Sequence, residues 1–419
     1  MKIIAVNSSD TFGGAARAAY RLHQGLLGLG VESRMLVQRK FSDDPTVLGP
    51  QGVLGRGMGL ARNVLDRLPL ALYRSRCDAP FSPGLVPSPT VGELNRLAPD
   101  IVHLHWIGEG MASIASLPRI VAPVVWTLHD SWPFTGGCHV PHGCGSFRER
   151  CGRCPQLGSS LGCDLSRLLW GMKEQSVRRL KPVMVAPSRW LAGRAAESSV
   201  MAGRRIEVIP NGIDAAVFAP ADKEAAKRML GIDPATKVLL FSAVDGARHH
   251  HKGFHLLVRA LESCAREVAG FADAHLLLVV GSAPPPEPLE LPVEVRYAGR
   301  LQDDLGISLT YNAADLYLAP ALLENFSTTV LESLSCGTPC VAFAAGGMAD
   351  LVEHGENGYL AAAYDADDFA RGILWALADG ERPAALGRRG RDKVLREFAI
   401  GRVATRYAGL YEELCRPSR

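Results

Sequence analysis

Leu318-Ala-Pro-Ala-Leu-Leu-Glu324-Asn-Phe-Ser-Thr-Thr-Val-Leu-Glu332-Ser-Leu-Ser-Cys-Gly337 runs from an apolar stretch into a short helical one and carries two glutamates with seven residues between them. The run from Asp315 to Pro320 stops at proline, as a strand buried in a parallel sheet does. Ser327 can cap the helix that follows, and Gly337 with Pro339 ends it. Glu324 is therefore predicted in the loop at the carboxyl end of a strand, and Glu332 inside the next helix. Open α/β sheets bind their ligands at that end. Ionised carboxylates only accept hydrogen bonds, which suits them to the paired hydroxyls of sugars and riboses.

Outward from this stretch, short apolar runs alternate with segments of helical period, the pattern of βαβ units and parallel sheets. One series is Lys2–Val6, Arg34–Gln38, Ile101–Trp106, Val124–His129, Val183–Pro187 and Ile206–Pro210. A second is Val238–Ala243, His275–Val280, Val293–Ala298, Asp315–Ala319, Cys340–Ala344 and Gly358–Ala361. Two such series predict two Rossmann-like domains facing each other across a cleft, joined in the turn-rich stretch Asn211–Pro220. Near the end, Val403, Tyr407, Leu410 and Leu414 recur at helical spacing.

The 419 residues suffice for two domains with ample cores. With 47% hydrophobic and 21% charged residues the chain reads as globular, and a net charge of +3 is too balanced for a nucleic-acid partner. No apolar run approaches the roughly 18 residues of a membrane-crossing helix. Met1-Lys-Ile-Ile-Ala-Val-Asn reads as a first strand, not a secretory leader. Ten cysteines then read as reduced thiols of a cytoplasmic protein.

The segment around Glu324 and Glu332 resembles the signature of the retaining, nucleotide-sugar-dependent glycosyltransferases of family 4, which have the GT-B fold. The run Gly13-Gly-Ala-Ala-Arg-Ala-Ala-Tyr-Arg-Leu-His-Gln-Gly-Leu is similar to one branch of that family, enzymes of bacterial surface-polysaccharide biosynthesis. The resemblance implies a first domain at 1–214 on the acceptor side and a donor-binding domain at 215–398. It also implies a helix at 399–419 that packs back on the first domain. It gives Glu324 to the donor sugar, Glu332 to the ribose, and Asn325, Phe326 and Ser327 to the donor loop; the family's usual residue after the first glutamate is glycine. Lys252-Gly253-Phe254 matches the lysine–glycine element that holds the donor diphosphate, with Arg248 as the candidate for the arginine upstream. Gly13 and Gly14 offer bare backbone and a helix N-terminus to the donor. Ala345-Gly-Gly347 is a third such loop, with Asp350 where the family more often has glutamate. His129, at the end of a first-domain strand, stands where the family places a histidine near the reacting sugar and acceptor; read alone, it is equally well a histidine satisfied by Asp130.

No Asp-x-Asp follows a strand in the manner of a metal-chelating transferase. Cations and helix dipoles are expected to stabilise the leaving diphosphate, with no cofactor required for catalysis. Three histidines, His249 to His251, are read as loop polarity because adjacent residues seldom converge on one ion.

Cys138, Cys144, Cys151 and Cys154 fall in a loop rich in glycine and proline, the last two with knuckle spacing. They are candidates for a structural zinc, with His139 or His142 able to replace a thiol; a redox pair or scattered thiols are the alternatives. Residues 52–76 mix leucines with five arginines and one acid. An excursion helix covering the sheet is the simpler reading. The other is a basic surface resting on anionic lipid at the inner face of the membrane, with Pro69 interrupting it.

The expected function is transfer of a hexose from a nucleoside-diphosphate sugar to a glycan or polyprenyl-linked glycan acceptor. The alternatives are a sugar-nucleotide epimerase of the same fold and a non-catalytic sugar-nucleotide-binding protein. An oxidoreductase is the least favoured reading, since no complete Gly-x-Gly-x-x-Gly follows either first strand.

Overall fold

The computed structural model describes residues 1–50, 52–243, 249–284, 290–301 and 303–416, without the side chain of Arg56. The chain divides into two compact units, 1–212 with 400–419, and 213–399.

The first unit is built on β1 (Lys2–Ser9), β2 (Glu32–Arg39), β3 (Val47–Leu48), β4 (Ile101–Leu104), β5 (Val124–Thr127), β6 (Val183–Ala186) and β7 (Ile206–Val208). Their order is β3-β2-β1-β4-β5-β6-β7, and every pairing is parallel. The second unit holds β8 (Lys237–Ser242), β9 (His275–Val280), β10 (Glu294–Gly299), β11 (Leu316–Ala319), β12 (Cys340–Phe343) and β13 (Gly358–Ala361). These are ordered β10-β9-β8-β11-β12-β13, again all parallel. Twelve of the strands are those read from apolar runs. The two-residue edge strand β3 is too short to leave a pattern.

Central strands are buried on both faces, so they appear in the sequence as unbroken apolar runs. β4, β5, β6, β11 and β12 are buried along their whole length. The order reverses direction once in each sheet, between β1 and β4 and between β8 and β11. That switch point is where the chain leaves neighbouring strands in opposite directions and opens a crevice at their carboxyl ends.

The last helix, Ile400–Cys415, belongs to the first unit. Val403, Tyr407, Leu410 and Tyr411 are buried there with Ile3, Leu22, Leu26, Ile101 and Val125. Gly25 allows the close approach, since a Cβ there would lie 2.8 Å from Cγ1 of Ile400.

Candidate active site

The switch point of the second unit brings together the residues that the sequence singles out there. β8 leads through the turn His250–Lys252 into the helix Phe254–Glu267, and β11 leads through the Glu324 loop into the helix Thr328–Ser335. Nζ of Lys252 lies 2.6 Å from Oε1 of Glu324. The two side chains keep 28% and 23% of their surface, so the pair is partly open to solvent. Residues 72 positions apart thus form one charged pair at the end of two adjacent strands.

Backbone contacts hold that pair in place. Gly253 has φ of 72°, and a Cβ there would sit 1.8 Å from the carbonyl oxygen of Pro320. Only glycine adopts that conformation at that distance. The amide of Leu322 donates to the carbonyl of His251 at 2.9 Å. On the far side, Gly346 has φ of 66°, and its Cβ would meet the carbonyl oxygen of Glu324 at 2.1 Å. The amide of Gly347 donates to that same oxygen at 2.8 Å. Three loops therefore converge on the backbone around Glu324, and the Gly346-Gly347 pair acts as its clamp.

Ser327 caps the following helix by accepting from the amide of Val330 at 3.3 Å. Phe326, expected in the donor loop, is a core residue: its ring is buried edge-on to Phe398 with centroids 5.9 Å apart. It shapes the loop from below. Asn325 stays half-buried in the loop itself. Glu332 is only 3% exposed, and its Oε2 accepts from the hydroxyl of Tyr311 at 3.2 Å. Burial first, and the Glu332 carboxylate second, hold the Tyr311 hydroxyl well above its usual pKa. Tyr311 escaped the sequence reading, because nothing local connects it to a glutamate 21 residues on. Arg248 lies outside the described residues. His250 stacks on His255 while His249 tilts against His251, so the three do not converge.

In the first unit, Gly13 and Gly14 start the helix Gly14–Gly28, and a Cβ on either would meet nothing within 4 Å. Their backbone is bare, as expected. His129 follows β5 and meets a second imidazole. Nε2 of His129 is 3.0 Å from Nδ1 of His105, and the rings stack. Asp130 instead pairs with Nδ1 of His139 at 3.0 Å and caps the amide of Trp132 at 2.8 Å. His105 in turn packs against His103, centroids 4.0 Å apart. His103 spans Thr127 Oγ1 and the Tyr411 hydroxyl, each at 2.7 Å. Burial pushes His103 down to about 3 and His129 to about 4, and His105 well below the usual imidazole value. The file of three imidazoles is neutral at physiological pH. Alternation of His103 and His105 along an extended strand puts both on one face, and that was the available signal for them.

The four cysteines line one small cavity with Phe81, Phe147 and Ser166. Among the described residues, however, no three His, Cys, Asp or Glu side chains stand close enough together to hold a metal ion. His139 is taken by Asp130 and by Ser82. Apolar side chains also pack beneath this loop. Trp132, Phe134, Phe147 and Leu157 are fully buried, and the buried amine of Lys173 donates to the carbonyls of Trp132 and Thr135 at 2.5 and 3.0 Å. The same amine lies 3.9 Å from the centre of the Trp132 ring, and burial lowers it to about 7. Burial also pushes the thiols of Cys138 and Cys151 up to about 12 and 11.

Comparison with known proteins agrees with this geometry. The family of glycosyl transferases group 1 matches residues 222–393, and Glycosyltransferase Family 4 matches residues 12–217. The D-inositol 3-phosphate glycosyltransferase of Thermobispora bispora is 27% identical over 93% of this chain and 87% of its own length. Its counterpart from Segniliparus rotundus is 32% identical over 49% of this chain, and the match spans about half (47%) of that relative. Anabaena HepE, crystallised with UDP-glucose, superposes with a TM-score of 0.65 over 99% of this chain and 100% of its own, at 18% identity. With the two family matches reaching together from residue 12 to residue 393, two parallel-sheet Rossmann-like units and the glutamate pair at the switch point, the chain belongs to the GT-B glycosyltransferases of the family 4 type.

Proposed function

We propose that this chain is a retaining hexosyltransferase. It moves a sugar from a nucleoside diphosphate to a glycan or polyprenyl-linked glycan acceptor in surface-polysaccharide assembly, at the cytoplasmic face of the membrane and without a catalytic metal. The observation that carries this reading is the Lys252–Glu324 pair, clamped between three loops at the switch point. A diphosphate arriving there offers Lys252 a more highly charged partner than one carboxylate. The lysine then sits against the leaving group, and Glu324, released, accepts from sugar hydroxyls. Glu332 accepts from the ribose. The N-terminus of the helix Phe254–Glu267 adds its dipole to the charge that stabilises the departing diphosphate.

In this reading the acceptor oxygen forms its bond to the anomeric carbon on the face from which the diphosphate leaves. The bond from that carbon to the phosphate oxygen breaks, and the acceptor's proton passes to the leaving phosphate. No enzymatic nucleophile takes part. His129 stands by the acceptor as a neutral, positioned imidazole. Support for the donor class comes from Anabaena HepE, which shares the fold and holds UDP-glucose. The related enzyme of Thermobispora bispora is named for a small phosphorylated acceptor. The glycan reading rests on the Gly13 run.

A panel of nucleoside-diphosphate sugars scored by thermal unfolding is the test. One donor should stabilise the protein by about 2.7 kcal/mol at a hundredfold excess over its Kd. Mass spectrometry should then show that sugar moved, with retained anomeric configuration, onto a lipid-linked glycan and not onto water. Conversion of the donor sugar without acceptor would favour an epimerase. Binding with no turnover of any acceptor would leave a binding protein.

A further inference from the structure

The helix Gly52–Arg67 is packed inside out. Its inward residues are small or polar. A Cβ on Gly59 would lie 3.2 Å from the side chain of Gln38 on β2, and the Gly59 carbonyl accepts from that glutamine at 3.1 Å. Asp66 is 2% exposed and accepts from the amides of Gly84, Leu85 and Val86. Outward stand Val53 and Leu54, 87% and 86% exposed, with Met58, Leu60, Val64 and Leu65 between 49% and 64%. On a helix of 3.6 residues per turn these six fall within one arc of about 160°. Leu68 and Leu72, 56% and 83% exposed, extend the patch past the helix end. Eight of the twenty exposed large hydrophobic residues named among the described ones lie in these twenty positions.

Pro69 does not interrupt the stripe. The helix ends at Arg67, and Pro69 starts the turn Leu68–Leu72, which Leu70 pins into the core. An excursion helix laid down to cover the sheet would bury its leucines; this one buries glycines and a carboxylate, and leaves the leucines in water. Exposed apolar surface of this extent marks an interaction site.

We propose that this face docks on an anionic lipid bilayer. Between residues 52 and 76 the chain has five arginines and one acid, and that acid, Asp66, is buried. Arg67, Arg74 and Arg76 are exposed beside the stripe. An apolar stripe flanked by exposed cations matches acyl chains beneath anionic headgroups. A second copy of the chain is the poorer occupant, because a two-fold contact would press the same arginines together. The inference rests on the reading that the acceptor is carried on lipid, and names the surface that brings the enzyme to it.

Flotation with vesicles tests it without donor or acceptor, and so separately from catalysis. The full chain should float with vesicles of phosphatidylcholine mixed with phosphatidylglycerol. It should stay behind with phosphatidylcholine alone, and lose binding as salt rises. Leu54→Gln with Leu60→Gln, and separately Arg67→Glu with Arg74→Glu, should each weaken partitioning by about tenfold or more. The thermal midpoint should not move, since the altered side chains are exposed. Failure of the unaltered chain to float with anionic vesicles would overturn the proposal. So would flotation unaffected by either pair of substitutions, or a dimer in sedimentation that the glutamine pair dissolves while lipid binding is absent.

Discussion

The two switch points share one topology and have opposite electrostatics. In the second unit, the loops after β8 and β11 present a lysine and a glutamate, partly solvated and paired at 2.6 Å. In the first, β4 and the loops after β4 and β5 carry three imidazoles in contact, His103 and His105 buried and His129 half-buried, each with its pKa lowered by desolvation. A charged pair left near water can exchange its partner for an incoming phosphate at small cost, since an exposed ion pair is worth about 0–1 kcal/mol. A buried neutral file cannot take up charge without a large desolvation penalty. One crevice is thus built to receive charge, and the other to hold neutral side chains in one orientation.

Lys252→Ala is the most severe test of that contrast. Loss of one cation aimed at the leaving group should lower the transfer rate by about a hundredfold or more, near 3 kcal/mol, in a protein that unfolds at an unchanged temperature. Steady-state kinetics that match the parent in a folded variant would remove the receiving role from the second crevice.

The two glutamates sharpen the comparison within that crevice. Glu332→Gln keeps a partner for the buried Tyr311 hydroxyl, and should weaken binding of the free nucleoside diphosphate by roughly tenfold. Glu324→Ala should leave that binding nearly intact and depress turnover, because sugar positioning matters most at the reacting carbon. Calorimetry with the nucleotide would show the roles exchanged if the order of the two effects were reversed.

Acid stability addresses the crevice of the imidazoles. Each imidazole there has a folded pKa below its unfolded value of about 6.5, so the unfolded state takes up protons first as pH falls. Stability is full above pH 6.5 and declines through the window down to about 4 for His129 and about 3 for His103. The slope is roughly 1.4 kcal/mol per pH unit for each such histidine. Scanning calorimetry at pH 7.5 and at pH 5 should therefore show the first unit losing more stability than the second. A transition that moves equally in both units would break the contrast.

The smallest effect concerns the cysteine loop. Its order rests on four buried apolar side chains and the Lys173 amine, so a chelator should leave the thermal midpoint unchanged. Elemental analysis giving one zinc per chain, with a midpoint that falls on chelation, would restore a four-thiolate site and require the loop to close further than it does here.

The glutamate pair, its cap and the strand before it were legible because caps, proline stops and periodicity are short-range signals. Ser327, Gly337 and Pro339 act within a few residues of the groups they position. The same holds for the lysine before Gly253. What joins Lys252 to Glu324 was not legible, because the packing of Gly253 on the Pro320 carbonyl, which leaves no room for a Cβ, and the Gly346 clamp involve segments far apart in the chain. His105 was not legible for the same reason. It meets His129 from the neighbouring strand, while Asp130 reaches His139.

The sequence by itself determined the fold class, the two series of strands and the loops that carry chemistry, because apolar period and capping are properties of a few consecutive residues. Tertiary structure alone decided which side of each element meets water. The helix Gly52–Arg67 turns its leucines outward because Gln38 and the amides of residues 84–86 offer its glycines and Asp66 a better fit. Phe326 is buried because Phe398 lies under its loop. Burial is a relation between segments, and neither segment carries it alone.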